Sequence, residues 1–153
     1  MNPLYKYILH VDDDEEDYFM LQEAIREVDR SISVGFRSEF SGSLEHLMQS
    51  QPDLIFLDIN MPAYDGFYWL EEIAKQPQFK KPVIMYSTAS TDHYMAQAYE
   101  AGAHLFLVKP PTFSELVASL RDIFHMNWLY PERIRQHYYQ EGQPHCFQLQ
   151  KVV

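Results

Sequence analysis

Cysteine is nearly absent from this sequence, since Cys146 is the only one in 153 residues. A single cysteine excludes an internal disulfide, and a reducing compartment such as the cytoplasm is the expected location. Basic residues are also scarce, because 12 Lys and Arg stand against 22 Asp and Glu, for a formal net charge of -10. This imbalance argues against long-range attraction to nucleic acid or to an anionic membrane.

Long apolar runs are missing as well. The apolar stretch at residues 7–11 is too short for a signal peptide or a transmembrane helix, so we expect no membrane span. The apolar share of 46% and the charged share of 22% are ordinary for a globular protein and argue against disorder. We therefore expect one domain with a single core and a short appendage.

Strand-like and helix-like segments alternate along residues 7–125. Short apolar runs predict strands at residues 7–11, 32–36, 53–57, 82–86 and 104–108. Apolar residues at helical spacing predict helices at residues 16–28, 43–49, 67–74, 92–101 and 112–125. Strands and helices that alternate in this way are typical of an α/β fold with a parallel sheet.

The pattern changes near residue 126. We predict one domain over residues 1–126 and a C-terminal extension over residues 127–153, made of a short helix and a tail. Pro131 suits the first position of that helix. The aromatic residues between Trp128 and Tyr139 raise the hypothesis of a homodimer formed through the extension.

Polar residues stand where the predicted strands end. They are Asp12, Asp13, Asp58, Ser87 and Lys109. The carboxyl ends of parallel strands meet at one edge of an open sheet, and such sheets bind their ligands at that edge. We therefore expect these five side chains to gather there.

The chemistry of this set favours a cation and a phosphoryl group. Carboxylates held close together repel each other unless a cation shares them, and an oxygen-rich site open to water suits Mg²⁺. A carboxylate such as Asp58 can accept a phosphoryl group, whose negative charge Lys109 and the Ser87 hydroxyl would stabilise. The alternative is an acidic loop rim that Lys109 merely neutralises.

Four blocks of the sequence resemble the receiver domains of two-component response regulators, over roughly residues 5–125. The blocks are ILHVDDD at 8–14, DLIFLDINMP at 53–62 followed by Asp65-Gly66, PVIMYS at 82–87, and a last stretch at 102–110 that begins with GA and ends with VKP. The resemblance implies a doubly wound five-stranded parallel sheet of flavodoxin-like order 2-1-3-4-5. Five helices would flank this sheet, and the C-terminal extension would follow.

The resemblance also implies a role for single residues. Asp58 falls on the phosphoacceptor, and Asp12 and Asp13 fall on the acidic pair that holds Mg²⁺ together with it. Asn60 falls on the position whose backbone carbonyl completes the metal site.

Three further positions match. Ser87 falls on the residue that bonds the phosphoryl group, Lys109 on the lysine that pairs with it, and Phe106 on the aromatic switch residue. The family usually has a cis peptide bond where Lys109 meets Pro110. One departure is His10, which stands where an aliphatic residue is more usual.

The function implied is a signalling switch and not an enzyme that turns over a substrate. A sensor histidine kinase would donate a phosphoryl group from its phosphohistidine to Asp58, and the acyl phosphate would later be hydrolysed. The residues after the fifth helix leave no room for a DNA-binding output domain, so we expect output through contact with a downstream protein. The surface around the fourth helix, fifth strand and fifth helix is the expected contact.

Two alternatives stay open. A Mg²⁺-dependent phosphohydrolase can also form an aspartyl phosphate, but it would need an acid where Asn60 stands. An unphosphorylated protein-binding module could share the fold, although the intact Asp58, Ser87 and Lys109 argue against it.

Overall fold

The computed structural model describes residues 6–38, 44–60, 65–88 and 91–149, apart from the side chains of His46 and Met48. Five strands form one sheet: β1 (Tyr7–Val11), β2 (Ser33–Arg37), β3 (Leu54–Leu57), β4 (Val83–Ser87) and β5 (Leu105–Val108). Five helices follow these strands in turn: α1 (Glu15–Val28), α2 (Leu44–Ser50), α3 (Gly66–Ala74), α4 (Asp92–Ala101) and α5 (Phe113–Phe124). Each lies within one or two residues of its predicted range.

The sheet has the order β2-β1-β3-β4-β5, and all of its neighbouring strands are parallel. The expected doubly wound, flavodoxin-like fold is therefore confirmed. Helices α1 and α5 cover one face of the sheet, whereas α2, α3 and α4 cover the other.

The central strand β3 explains why the sequence shows an unbroken apolar run there. Leu54 and Phe56 pack into the core on the α1 and α5 face, and Ile55 and Leu57 pack into the core on the opposite face. All four side chains are buried, because a parallel sheet with helices on both faces leaves neither face to water.

Helix caps shape the loops that leave the strand ends. The Asp14 side chain caps α1 by accepting a hydrogen bond from the Glu16 N–H, and the Asp65 side chain caps α3 by accepting one from the Tyr68 N–H. Thr112 caps α5 by accepting a hydrogen bond from the Glu115 N–H. Each cap thus ties the residue that precedes a helix to the first turn of that helix.

After α5 the chain forms a helix, α6 (Pro131–Tyr138), and a two-stranded hairpin, β6 (Tyr139–Gln140) and β7 (Gln143–Pro144). The hairpin turn places Glu141 and Gly142 at positive φ, 54° and 73°. Trp128 and Phe147 are buried against the α1 and α5 side of the core, so the segment is packed onto the sheet and its helices. The hairpin was not predicted from the sequence.

This segment also covers part of the surface that was expected to carry the output. Tyr139 stacks on Tyr99 of α4 at 5.5 Å between ring centroids, and its hydroxyl donates a hydrogen bond to Glu100 at 2.7 Å. Arg135 donates a hydrogen bond of 2.6 Å to the Tyr99 carbonyl. Across the described ranges, none of the helices is both long enough and apolar enough to cross a membrane.

Candidate functional site

The backbone ladder brings the five polar residues from the strand ends to one edge of the sheet. The Asp58 N–H donates to the Val11 carbonyl at 2.9 Å, which places Asp58 beside the end of β1. The Lys109 N–H donates to the Ser87 carbonyl, also at 2.9 Å, which places Lys109 beside the end of β4. The gathering expected of Asp12, Asp13, Asp58, Ser87 and Lys109 follows from strand order and register.

Three carboxylates form the centre of this edge. One oxygen each of Asp12, Asp13 and Asp58 lies within 4.8 Å of the others. Asp12 and Asp58 are buried, and Asp13 is exposed, so the group opens to solvent on one side. A set of oxygen ligands with an open side fits a hard divalent cation that keeps some of its waters.

The buried pair of carboxylates divides into one strong and one weak acid. Burial raises the pKa of Asp58 to about 6, and the charge of Asp12 adds to this rise, while Lys109 opposes it. Burial also acts to raise the pKa of Asp12, but hydrogen bonds from His10 and Lys109 outweigh it and hold this pKa well below its usual range. Asp12 is therefore the stronger acid of the pair.

Two more groups contact the Asp58 carboxylate. Hydrogen bonding from the Ser87 side chain and from the Asn60 backbone lowers the pKa of Asp58, against the effect of burial. Gly66 is required beside it, because a Cβ at this position would collide with the backbone carbonyl of Asp58. Gly66 thus lies close to Asp58, and residues 61–64 before it lie outside the described residues.

The Lys109 ammonium lies closer to Asp17 and Asp12 than to Asp58. Its Nζ lies 2.6 Å from an oxygen of Asp17, 2.9 Å from one of Asp12 and 3.8 Å from one of Asp58. Burial would lower the pKa of Lys109, but the hydrogen bonds to Asp12 and Asp17 raise it above its usual value. The Nζ also lies 5.3 Å from the centre of the Tyr86 ring. The ammonium group therefore stays charged in its buried position.

Two polar residues of this site were not assigned from the sequence. Asp17 lies in the first turn of α1, and its position about one turn after Asp12 and Asp13, the acids that follow β1, is a signal that could have found it. His10 was noted only as a departure, yet its Nε2 lies 3.2 Å from Oδ2 of Asp12. Both residues contact the partners of Asp58 and not Asp58 itself.

Phe106 lies away from the open edge, in the middle of β5, and is completely buried on the α3 and α4 side of the core. Its N–H donates to the Tyr99 hydroxyl at 3.1 Å, and its carbonyl accepts from the Phe147 N–H at 2.8 Å. The peptide bond between Lys109 and Pro110 is trans, so the expected cis bond is wrong. Trans is the more stable isomer of most X–Pro bonds.

Comparison with known proteins agrees with this arrangement. The profile of the response regulator receiver domain family matches residues 8–121. Among curated proteins, the chain is 29% identical over 114 residues to the transcriptional regulatory protein YxdJ of Bacillus subtilis, covering 74% of this chain and 48% of that protein. It is 29% identical over 111 residues to the response regulator protein GraR of Staphylococcus epidermidis, covering 72% of this chain and 49% of that protein.

Solved structures share both fold and sequence. The phosphorylated cyanobacterial phytochrome response regulator RcpA superposes with a TM-score of 0.72 at 28% identity, over 82% of this chain and 94% of that one. The Mn²⁺-bound response regulator Rcp1 gives a TM-score of 0.62 at 26% identity, over 77% and 91% of the two chains. The chemotaxis response regulator CheY4 of Vibrio cholerae gives 0.66 at 25% identity, over 78% and 98%.

The chain spans about half the length of the curated relatives it matches. The match itself extends over 114 residues and contains all four sequence blocks. Together with the sheet order, it shows that the chain belongs to the response regulator receiver domain family of two-component signalling.

Proposed function

We propose that the protein is a phosphoryl-accepting switch, in which Asp58 takes a phosphoryl group from the phosphohistidine of a sensor histidine kinase. The observation that carries this proposal is the surroundings of Asp58, whose carboxyl lies among two carboxylates, the Ser87 hydroxyl and the Lys109 ammonium. A phosphoryl transfer needs these elements and little more, since it depends on positioning and on charge stabilisation.

Mg²⁺ is the cofactor we propose. Asp12, Asp13 and Asp58 would hold it with their carboxylates, and Asn60 with its backbone carbonyl. The oxygen-only donor set supports this assignment, and the structural relative Rcp1 binds Mn²⁺. Bound Mg²⁺ would neutralise charge on the phosphoryl oxygens and on the carboxylates.

Asp58, Lys109 and Ser87 have different roles in the proposed transfer. The ionised Asp58 attacks phosphorus, a new O–P bond forms, and the bond from phosphorus to the donor histidine nitrogen breaks. Lys109 turns from Asp17 toward the phosphoryl group, a short movement because its Nζ is already 3.8 Å from Asp58. The Ser87 hydroxyl donates a hydrogen bond to a phosphoryl oxygen. Water later hydrolyses the acyl phosphate, and the switch returns to its first state.

Output passes, in this proposal, through contact with a downstream protein. Phe106 would carry the signal, since its backbone is bonded both to Tyr99 of α4 and to Phe147 of the C-terminal segment. The division into a receiver domain at residues 1–126 and an extension at 127–153 belongs to this proposal, as does a cytoplasmic location. We also propose a homodimer formed through the extension. Deleting the residues after Asn127 should then convert the dimer to a monomer, and an oligomeric state in solution that does not change on deletion would refute it.

The alternatives differ in what they do with phosphate. A phosphohydrolase needs a second acid as proton donor, and the Asn60 side chain cannot transfer protons. Rapid hydrolysis of p-nitrophenyl phosphate would favour that enzyme over the switch.

The decisive experiment is mass spectrometry after incubation with acetyl phosphate and Mg²⁺. We expect one added phosphoryl group on the wild-type protein and none on Asp58→Asn, which keeps the size of the side chain. If no adduct forms with any phosphodonor, the chain is an unphosphorylated binding module.

A further inference from the structure

A histidine is buried directly beneath the acidic site. His10 lies in β1, two residues before Asp12, and its side chain is completely shielded from solvent. Its Nε2 lies 3.2 Å from Oδ2 of Asp12. The same Oδ2 accepts a hydrogen bond from the Lys109 ammonium at 2.9 Å, so it acts as an acceptor, and we place the hydrogen of the bond to His10 on Nε2.

The ring is held in place by aromatic side chains. Its centre lies 5.6 Å from that of Tyr86, 6.0 Å from that of Phe36 and 6.3 Å from that of Tyr18. The other nitrogen, Nδ1, is buried and has no hydrogen-bond partner within the described residues. A buried polar atom without a partner is unfavourable, so an aliphatic side chain would serve packing alone better.

Within the described part of the chain, two other donors contact Asp12, and one of them is shared with another carboxylate. Its Oδ1 accepts from the Asp14 N–H at 3.0 Å, and its Oδ2 accepts from Lys109 at 2.9 Å. Lys109 is also bonded to Asp17, and the proposed reaction draws it toward the phosphoryl group. His10 is then the side chain that remains bonded to Asp12.

We propose that His10 is a positioning residue, whose Nε2–H holds the Asp12 carboxylate in the orientation that binds the divalent cation while Lys109 serves the phosphoryl group. This inference rests on the proposed function, since it concerns the cation site of the switch. His10 would act through Asp12 and would not itself contact the cation. Hydrogen bonds that orient metal ligands in this way affect metal affinity about 10- to 100-fold.

Two amide substitutions distinguish the role of Nε2 from that of Nδ1. In His10→Gln the side-chain amide nitrogen reaches about as far as Nε2, whereas in His10→Asn it reaches only about as far as Nδ1. We expect isothermal titration of the full chain with MgCl₂ to give nearly wild-type affinity for His10→Gln. For His10→Asn and the apolar His10→Leu we expect a loss of about tenfold or more. Thermal melts in EDTA show which variants are folded.

A second measurement needs no variant. Long-range proton–nitrogen NMR of the wild-type imidazole should show the hydrogen on Nε2, both before and after Mg²⁺ is added. A hydrogen found only on Nδ1 overturns the proposal, whatever the stability of the variants.

The outcomes of the titration also separate the inference from the proposed function. If the wild-type protein binds Mg²⁺ and folded His10→Asn binds it equally well, the positioning role is wrong and the cation site stands. If the wild-type protein binds no Mg²⁺ at millimolar concentration, the cation site and the role of His10 both fail.

Discussion

The backbone N–H of Phe147 donates a hydrogen bond of 2.8 Å to the carbonyl oxygen of Phe106, the buried aromatic residue of β5. On the other backbone group of Phe106, the N–H donates to the Tyr99 hydroxyl at 3.1 Å, and that hydroxyl donates in turn to the His145 carbonyl at 2.6 Å. The outer edge of β5 is therefore covered by α4 and by the C-terminal segment together. Covering an edge strand removes a template for unwanted strand pairing.

Tyr99→Phe should destabilise the protein by about 1–3 kcal/mol, because it leaves the Phe106 N–H and the His145 carbonyl without their partner while keeping the ring. Urea denaturation measures the change. Tyr139→Phe is the matched control, since its hydroxyl bonds to the exposed Glu100, which water can satisfy instead, and its loss should matter much less. If the two substitutions lower the free energy of unfolding equally, the Tyr99 hydroxyl does not stabilise the protein by joining Phe106 to His145.

The candidate site could be predicted from the sequence because the order of the strands brings its residues to one edge of the sheet. Asp13, Asp58, Ser87 and Lys109 are 45, 29 and 22 positions apart in turn, and they meet once the five parallel strands are placed in order. Each of them stands at a strand end that the apolar runs mark clearly. Because the hydrogen bonds between strands fix the backbone at each strand end, the position of each of these residues follows from the strand register.

What the sequence did not reveal depends on side-chain reach and on non-local packing. The bond from Lys109 to Asp17 depends on which of several nearby carboxylates a long flexible side chain meets. The hairpin after α6 has strands of two residues each, too short for a periodic pattern, and Phe147 is placed by its contact with Phe106.

The raised pKa of Asp58 predicts how stability depends on pH. A carboxyl that binds its proton more tightly when folded stabilises the protein below its ordinary pKa, and this contribution is lost as the pH rises through about 6. Without Mg²⁺, the free energy of unfolding of the wild type relative to Asp58→Asn should therefore be higher at about pH 4.5 than at pH 7, by about 1–2 kcal/mol. Denaturation curves at the two pH values test this. A constant difference would mean that the pKa of Asp58 is ordinary.

Mg²⁺ should raise the melting temperature at neutral pH, because it binds the folded site and relieves the repulsion among Asp12, Asp13 and Asp58. At 100 times its Kd the stabilisation would be about 2.7 kcal/mol. The shift should shrink in Asp13→Asn, which removes an exposed ligand and leaves the buried pair in place. NaCl of equal ionic strength is the control, and an equal shift with NaCl would indicate screening and no specific site.

Asp17 should slow phosphorylation, because it holds the ammonium of Lys109 at 2.6 Å and so competes with the phosphoryl group for it. The Asp17 side chain is 30% exposed, and a partly exposed ion pair contributes about 0.5–1 kcal/mol. Asp17→Asn should therefore accelerate phosphorylation by acetyl phosphate about two- to fivefold at saturating Mg²⁺, measured as the rate of adduct formation by mass spectrometry. Glu16→Gln removes an exposed charge from the same turn of α1 and should leave the rate nearly unchanged. If Asp17→Asn is phosphorylated at the wild-type rate, the ion pair between Asp17 and Lys109 does not slow the reaction. If it is phosphorylated more slowly, Asp17 positions Lys109 for the reaction.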